Sequence, residues 1–304
     1  MVDATDMVPA TAASREPATM LAPKKKRPSR AGAIVRYGLL IVVGLVMIYP
    51  LLWLIGASFK TNQEIFSTPW FWPQNPTFQG YIDGWQTSTP YTFGRFFFNS
   101  LCIVVPKVIG TAVSSTLVAY GFARFDFPGK KLLFGVLIAT LLLPDVVTRI
   151  PQYLLFRELG WLDTFLPLFV PQWFAWEAFF VFMLIQFLRA IPREMEEAAR
   201  VDGANTMQTL IFIVVPMLKP AIISVCLFQF MWTMNDFLGP LIYISSVENY
   251  PISLALRLAI DTTEAFNWNE ILAMTVLALT PSLVVFFIAQ KYFIEGIATG
   301  GVKG

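Results

Sequence analysis

Apolar positions run in six long blocks, at 37–58, 97–122, 131–152, 164–188, 219–244 and 271–293, separated by polar or charged stretches. Each block is long enough to cross about 30 Å of hydrocarbon as an α-helix rising about 1.5 Å per residue. Lipid offers the backbone no hydrogen-bond partners, so helices are the form such segments take. The expected fold is an all-α membrane protein with six transmembrane helices. Pro50, Pro106, Pro144 and Pro281 lie inside the blocks and are expected to mark kinks.

Three regions follow. Residues 1–36 are polar, rich in Pro, Ala and Ser, and contain the basic run "PKKKRPSR"; they read as a disordered cytoplasmic tail. A secretory signal peptide is the rival. The block at 37–58 exceeds the about 7–15 residues of a signal's apolar core, however, and no small-residue cleavage site follows it. Residues 37–294 form the six-helix domain, and 295–304 a cytoplasmic C-terminal tail.

Composition agrees: 56% of residues are hydrophobic, 14% are charged and the mean hydropathy is +0.61. Ordinary soluble chains have about 45–50% apolar and about 25% charged residues. The net charge of +2 matters less than where the charges sit. With the N-terminus inside, the cytoplasmic side collects Lys24, Lys25, Lys26, Arg27, Arg30, Arg36, Arg124, Lys130, Lys131, Arg189, Arg193, Arg200, Lys219, Lys291 and Lys303. The other side keeps Lys60, Arg95, Arg149, Arg157 and Arg257. This asymmetry predicts an N-in, C-in topology.

The chain has no histidine, which removes Ser-His-Asp triads, Cys-His pairs and HExxH metal sites. No metal site is expected. Cys102 and Cys226 fall in apolar segments and read as small buried hydrophobes. Lys60-Thr61 in "GASFKT" lacks phosphate-loop spacing, so ATP is not bound by that route. Polar residues inside the blocks are expensive, and Glu177, Gln229, Asn235 and Asp236 stand out. They are candidates for a transport pathway or for inter-helix hydrogen bonds. An intramembrane enzyme using Glu177 or Asp236 as an acid is a rival class, weakened by the missing histidine and the lack of paired motifs. A passive membrane scaffold is another.

The segment 190–219, between the fourth and fifth blocks, breaks the apolar pattern with "MEEAARVDGANTMQTL". Pro192 fits a helix start and "REMEEAARVD" is good helix sequence. Gly203 suits a left-handed cap, and Asn205 with Gln208 fits a capping box opening a second helix. A cytoplasmic helix–turn–helix is expected. Ala198 and Ala199 leave a face without bulk, with Glu197 and Asp202 at its rim. By composition alone, solvated surface decoration would serve as well.

Spacing decides between them. In "EAARVDGANTMQTLIFIVVP", Glu197, Ala198 and Ala199 stand three residues before Gly203, which stands nine before Ile213 and then Val215-Pro216. This resembles the EAA-x3-G-x9-I-x-LP signature of ABC-importer permease subunits, departing from it at Val215. "FNSL", "AYGFARFDFPGKK", "NDFLGPLIY" and the ending "QKYFIEGIATGGVKG" are similar to MalG-type carbohydrate permeases, although Met234 stands where that family usually has tryptophan. The resemblance covers most of the chain from Tyr37 onward.

The resemblance implies a permease subunit in a bacterial or archaeal cytoplasmic membrane, importing a di- or oligosaccharide, with glycerol-3-phosphate or another polyol derivative as the alternative substrate. It implies a second related permease, a dimeric cytoplasmic ATPase and an extracytoplasmic solute-binding protein as partners, and no nucleic acid. ATP and Mg would be bound by the ATPase, leaving this chain without a cofactor or catalytic residue. Glu197, Ala198, Ala199, Asp202, Gly203, Ile213 and Pro216 would form the ATPase-coupling elbow. The tail with Gly296, Gly300, Gly301 and Lys303 would enter the ATPase seam, and the loop 245–270 would touch the binding protein. An electropositive pathway would favour a phosphate, yet no arginine cluster is evident within the blocks.

Overall fold

A computed structural model describes residues 30–87, 89–261 and 267–300. By internal contacts the chain divides into 1–50 and 51–304. The first unit contributes most of α1 (Arg30–Ala57), and Ile34–Ala57 is long and apolar enough to span a membrane. The helix begins ahead of the expected boundary at 37 and runs through Pro50.

In the second unit the short helices α2 (Asn62–Ser67) and α3 (Gln79–Gln86) precede α4 (Phe93–Arg124), the central element. Then come α5 (Lys130–Leu141), α6 (Asp145–Glu158), the single turn α7 (Leu166–Phe169), a 3-10 turn at Val170–Phe174, and α8 (Ala178–Ala190). Next are α9 (Glu194–Val201), α10 (Thr206–Thr209), a π-turn at Leu210–Val214, and α11 (Val215–Met234). The chain closes with α12 (Leu238–Tyr243), α13 (Ile252–Asp261) and α14 (Trp268–Gly300). The described residues are helical throughout their regular structure, as an apolar chain of this kind requires.

Helix α4 packs on α8 and α11, and α11 packs on α14. One buried cluster joins Tyr120 of α4, Phe180, Leu184 and Leu188 of α8, and Leu218 and Val225 of α11. Close approach is permitted by small residues on α4. A Cβ on Gly110 would sit 2.6 Å from the Trp173 ring, so only glycine admits that indole. The Ser114 hydroxyl donates to the Gln172 carbonyl at 2.7 Å, fixing the 3-10 turn against α4.

Two expected spans are broken. The block 131–152 divides between α5 and α6, which meet at 104°. Pro144 brings no N–H and disfavours helical backbone at Leu143 before it, so the helix stops there. The block 164–188 is interrupted at Ala175, which sits in the left-handed region at φ +54°. Pro167 and Pro171 precede that break. Among the described residues, five helical stretches are therefore long and apolar enough to span a membrane, or six with the bent α5–α6 pair taken as one.

The segment after α12 is not a plain connector. Asp163, at φ +61°, accepts from the backbone N–H groups of Ser245 at 2.9 Å and Ser246 at 2.8 Å. The Asn99 amide donates to the carbonyls of Glu248 and Tyr250 at 2.7 and 3.0 Å. The segment then packs Ile252 and Ala255 of α13 into a cluster with Phe96 and Met274. At the other end, α14 carries helical backbone through Gly300, past the expected boundary at 294. Gly296 and Gly300 lie on that helix, whereas Gly301, Lys303 and most of the tail 1–36 fall outside the described residues.

Candidate functional site: a helical elbow and an intramembrane cavity

The elbow forms as its caps dictate. Glu194, Glu196 and Glu197 crowd the first turn of α9, where the helix dipole favours acids. At the other end Gly203 adopts φ +89°. Its N–H reaches the Arg200 carbonyl at 3.0 Å and the Ala204 N–H reaches the Ala199 carbonyl at 2.9 Å, a Schellman closure. Asn205 then opens α10: its Oδ1 accepts from the Gln208 N–H at 2.9 Å, and the Gln208 Oε1 accepts from the Asn205 N–H at 2.8 Å. The capping box is complete. Pro216 would press its ring on the Phe212 carbonyl in a regular α-helix, and the wider π-turn ahead of it relieves that contact.

Helical spacing sorts the elbow into two faces. Glu197, Ala198, Asp202 and Gly203 are exposed, and Val201 beside them is 87% exposed. Ala199, expected on the open face, is buried, because it shares the inward stripe with Glu196 three residues earlier. Ile213 is half-buried in the π-turn and Pro216 is exposed. Glu196 was not singled out by the sequence pattern. Its carboxylate meets the Arg124 Nε at 2.5 Å, with the two side chains 4% and 5% exposed. The Tyr120 hydroxyl donates to the other Glu196 oxygen at 3.3 Å, and Arg124 Nη2 donates to the Ile191 carbonyl at 3.0 Å. The elbow is thus riveted to the last turn of α4. Nearby Asp126 is held below the usual carboxylate range by its hydrogen bond and ion pair with Lys130.

A cavity of about 490 Å³ lies among α4, α6, the break before α8, α11 and the start of α12. Three of the four candidate pathway residues line it: Glu177, Gln229 and Asp236. Glu177 stands at the N-terminal edge of α8 rather than at mid-helix, because the left-handed turn at Ala175 intervenes. Asn235 does not join them; it is exposed and its amide donates to the Met231 carbonyl at 2.7 Å. The structure adds Lys107 of α4 and Arg149 of α6, which enter the cavity together. No arginine cluster forms there, in keeping with the sequence, but one lysine and one arginine share the lining. Lys107 was legible in principle as a lone lysine in an apolar block. Its closeness to Arg149 depends on the α5–α6 bend.

Comparison with known proteins bears on both places. The sequence profile of the binding-protein-dependent transport system inner membrane component family matches residues 112–299, a stretch containing the whole elbow. The chain belongs to this family. Inner membrane components of this kind are multi-pass permeases, not enzymes, and work with a separate ATPase and a solute-binding protein. The chain is 28% identical over 302 residues to the diacetylchitobiose uptake system permease protein NgcG of Streptomyces coelicolor, covering 98% of each chain. It is 31% identical to the osmoprotective compounds uptake permease protein GgtD of Synechocystis, covering 87% of this chain and 90% of that one. It is 30% identical to the arabinooligosaccharides transport system permease protein AraQ of Halalkalibacterium halodurans, covering 86% and 93%. The crystal structure of a bacterial ABC transporter involved in import of the acidic polysaccharide alginate contains a chain of the same fold. It matches with TM-score 0.74 and 23% identity, covering 90% of this chain and 100% of that one.

Proposed function

We propose that this chain is the permease subunit of an ATP-driven importer of a di- or oligosaccharide, and that the α9–α10 elbow is where a cytoplasmic ATPase grips it. The observation that carries the proposal is the two-faced elbow. Its outer face offers Glu197, Ala198 and Val201 to a partner, and its inner face is fixed to α4 through Glu196. The diacetylchitobiose and arabinooligosaccharide permeases among its relatives support the sugar.

In this proposal a second, related permease completes the membrane pair, and a dimeric ATPase holds ATP and Mg. The solute-binding protein delivers substrate on the opposite face. The lysine and arginine distribution supports both termini being cytoplasmic. Glu197 makes the ionic contact to the ATPase, and the tail bearing Gly296, Gly300, Gly301 and Lys303 enters the ATPase seam. ATP binding drives alternating access because the closed ATPase favours one arrangement of the docked elbows over the other. The Schellman turn at Gly203 sets the angle between the two short helices. From α10 the chain continues through the π-turn into α11, which carries Gln229 toward the cavity.

Glu197→Lys is expected to leave membrane insertion intact and abolish ATP-driven uptake. Normal uptake by that variant would remove the docking role, as would purification of the complex without a Walker-motif ATPase. Glycerol-3-phosphate or another polyol derivative is the second reading; a relative that takes up osmoprotective compounds shows that substrates within this family are not confined to those named as sugars. A thermal-shift screen of the cognate binding protein against sugars and polyol phosphates separates the two.

A further inference from the structure

We propose that this subunit carries a substrate-contact station of its own, built to take an uncharged sugar unit and to turn away acidic ones; this rests on the sugar-importer reading above. The station is the cavity lined by Lys107, Arg149, Glu177, Gln229, Trp232 and Asp236.

Its about 490 Å³ lies within the roughly 300–1,000 Å³ of small-molecule pockets. Two observations mark it as built for a ligand rather than left over from packing. Gln229 is 1% exposed, and its Nε2 is committed to the Thr233 hydroxyl at 3.0 Å while its Oε1 has no hydrogen-bond partner. A buried carbonyl oxygen of this kind costs free energy until a donor reaches it. Gln229 borders the cavity but this oxygen is shut off from it, so a sugar hydroxyl reaches it once the amide turns toward the cavity. The second observation is the charge arrangement. Lys107 and Arg149 share the cavity with Glu177 and Asp236, yet no direct ion pair joins either cation to Asp236 among the described residues. Asp236 is held in place through one oxygen only, which accepts from the Gly239 N–H at 2.9 Å. Its other oxygen has no hydrogen bond among the described residues and can accept from a ligand.

The substrate class follows from the balance. Two cations and two carboxylates give the lining no net charge. Hydroxyl groups both donate and accept, so a neutral sugar meets carboxylates with its donors and Lys107 and Arg149 with its acceptors. A uronic acid gains nothing equivalent. Its carboxylate would enter a cavity that also holds the carboxylates of Asp236 and Glu177, in surroundings where like charges repel strongly. Trp232, 46% exposed beside the cavity, adds an apolar face for the sugar ring.

The test uses the full transporter complex in lipid nanodiscs, without binding protein. Equilibrium binding of tritiated maltose, cellobiose and diacetylchitobiose is compared with that of digalacturonate, and the same probes are offered to the cognate binding protein. The expected result is that a neutral disaccharide accepted by the binding protein also binds the complex, while digalacturonate does not. Asp236→Asn keeps the bond to the Gly239 N–H but removes the charge, and is expected to weaken neutral-sugar binding roughly tenfold or more. Gln229→Leu is expected to do likewise. The Glu177→Gln/Asp236→Asn double variant is expected to admit digalacturonate. Asn235→Ala, outside the cavity, serves as the control for assembly and is expected to bind as the parent does. Neutral-sugar affinity unchanged in both Asp236→Asn and Gln229→Leu overturns the proposal. So does equal binding of digalacturonate by the parent, or a sugar-loaded binding protein beside a complex that takes no sugar. A binding protein that accepts polyol phosphates and no sugar defeats the importer reading instead.

Discussion

The rivet between Arg124 and Glu196 can be weighed directly. Their side chains are 5% and 4% exposed, so each charge has left water and depends on the other. Removing one partner of such a pair strands a buried charge and costs roughly 3–5 kcal/mol, whereas replacing both with apolar residues is often near neutral. Arg124→Met leaves Glu196 with only the Tyr120 hydroxyl, and Glu196→Leu leaves Arg124 with the Ile191 carbonyl. Each single variant should therefore loosen α9 by about 3 kcal/mol, or about two decades of amide protection at about 1.4 kcal/mol per decade. The double variant should recover most of that loss. Hydrogen exchange read by mass spectrometry on peptides covering 194–201 reports the local opening free energy. Glu197→Gln, one residue away on the exposed face, is the control and should move protection by no more than about 0.5 kcal/mol. Single variants that add in the double to within about 0.5 kcal/mol would show that the two residues do not act as a pair. Unchanged protection in both singles would show that the elbow is held elsewhere.

Two further outcomes test the geometry around the site. Gly203→Val is expected to strain the elbow through its backbone alone, since a Cβ there meets nothing within 4 Å while φ is +89°. A left-handed conformation costs an ordinary residue about 1–2 kcal/mol and a β-branched one more, so ATPase recovered by pull-down should fall; unchanged recovery contradicts this. Asp163 is held below the usual carboxylate range by the Ser246 hydroxyl, the Ser246 and Ser245 N–H groups and Asn249. A depressed pKa adds stability above the unfolded value of about 3.9, and that stability is lost as pH falls through the folded value. Amide protection factors at Ser245 and Ser246 should hold from neutral pH to about pH 5 and drop only in stronger acid. A drop centred near neutrality would rule Asp163 out as the clamp.

The fold was legible where local rules suffice. Apolar length gave the helical stretches, and the elbow's turn chemistry was spelled out by Gly203, Asn205 and Gln208, whose roles depend only on near neighbours. Charges whose partners are distant in sequence were not legible. Glu196 and Glu197 are adjacent acids of identical composition, and only the position of Arg124, 72 residues earlier, makes one an internal rivet and leaves the other outside. Which alanine of the pair turns inward was not legible either, because an alanine pair gives helical spacing no apolar stripe to follow. Lys107, Arg149 and Asp236 come from three separate elements, and the bend after Leu141 is what swings Arg149 inward. A kink at Pro144 was expected, but with the block read as a single span Arg149 fell at the membrane surface, where a cation needs no explanation. Once the helix is broken the same residue lines one cavity with Lys107, and two cations together there require the carboxylates that accompany them. The break at Pro144 thus does more than shorten a helix. It converts an ordinary flank charge into part of a balanced polar lining, which an unbroken apolar span could not have provided.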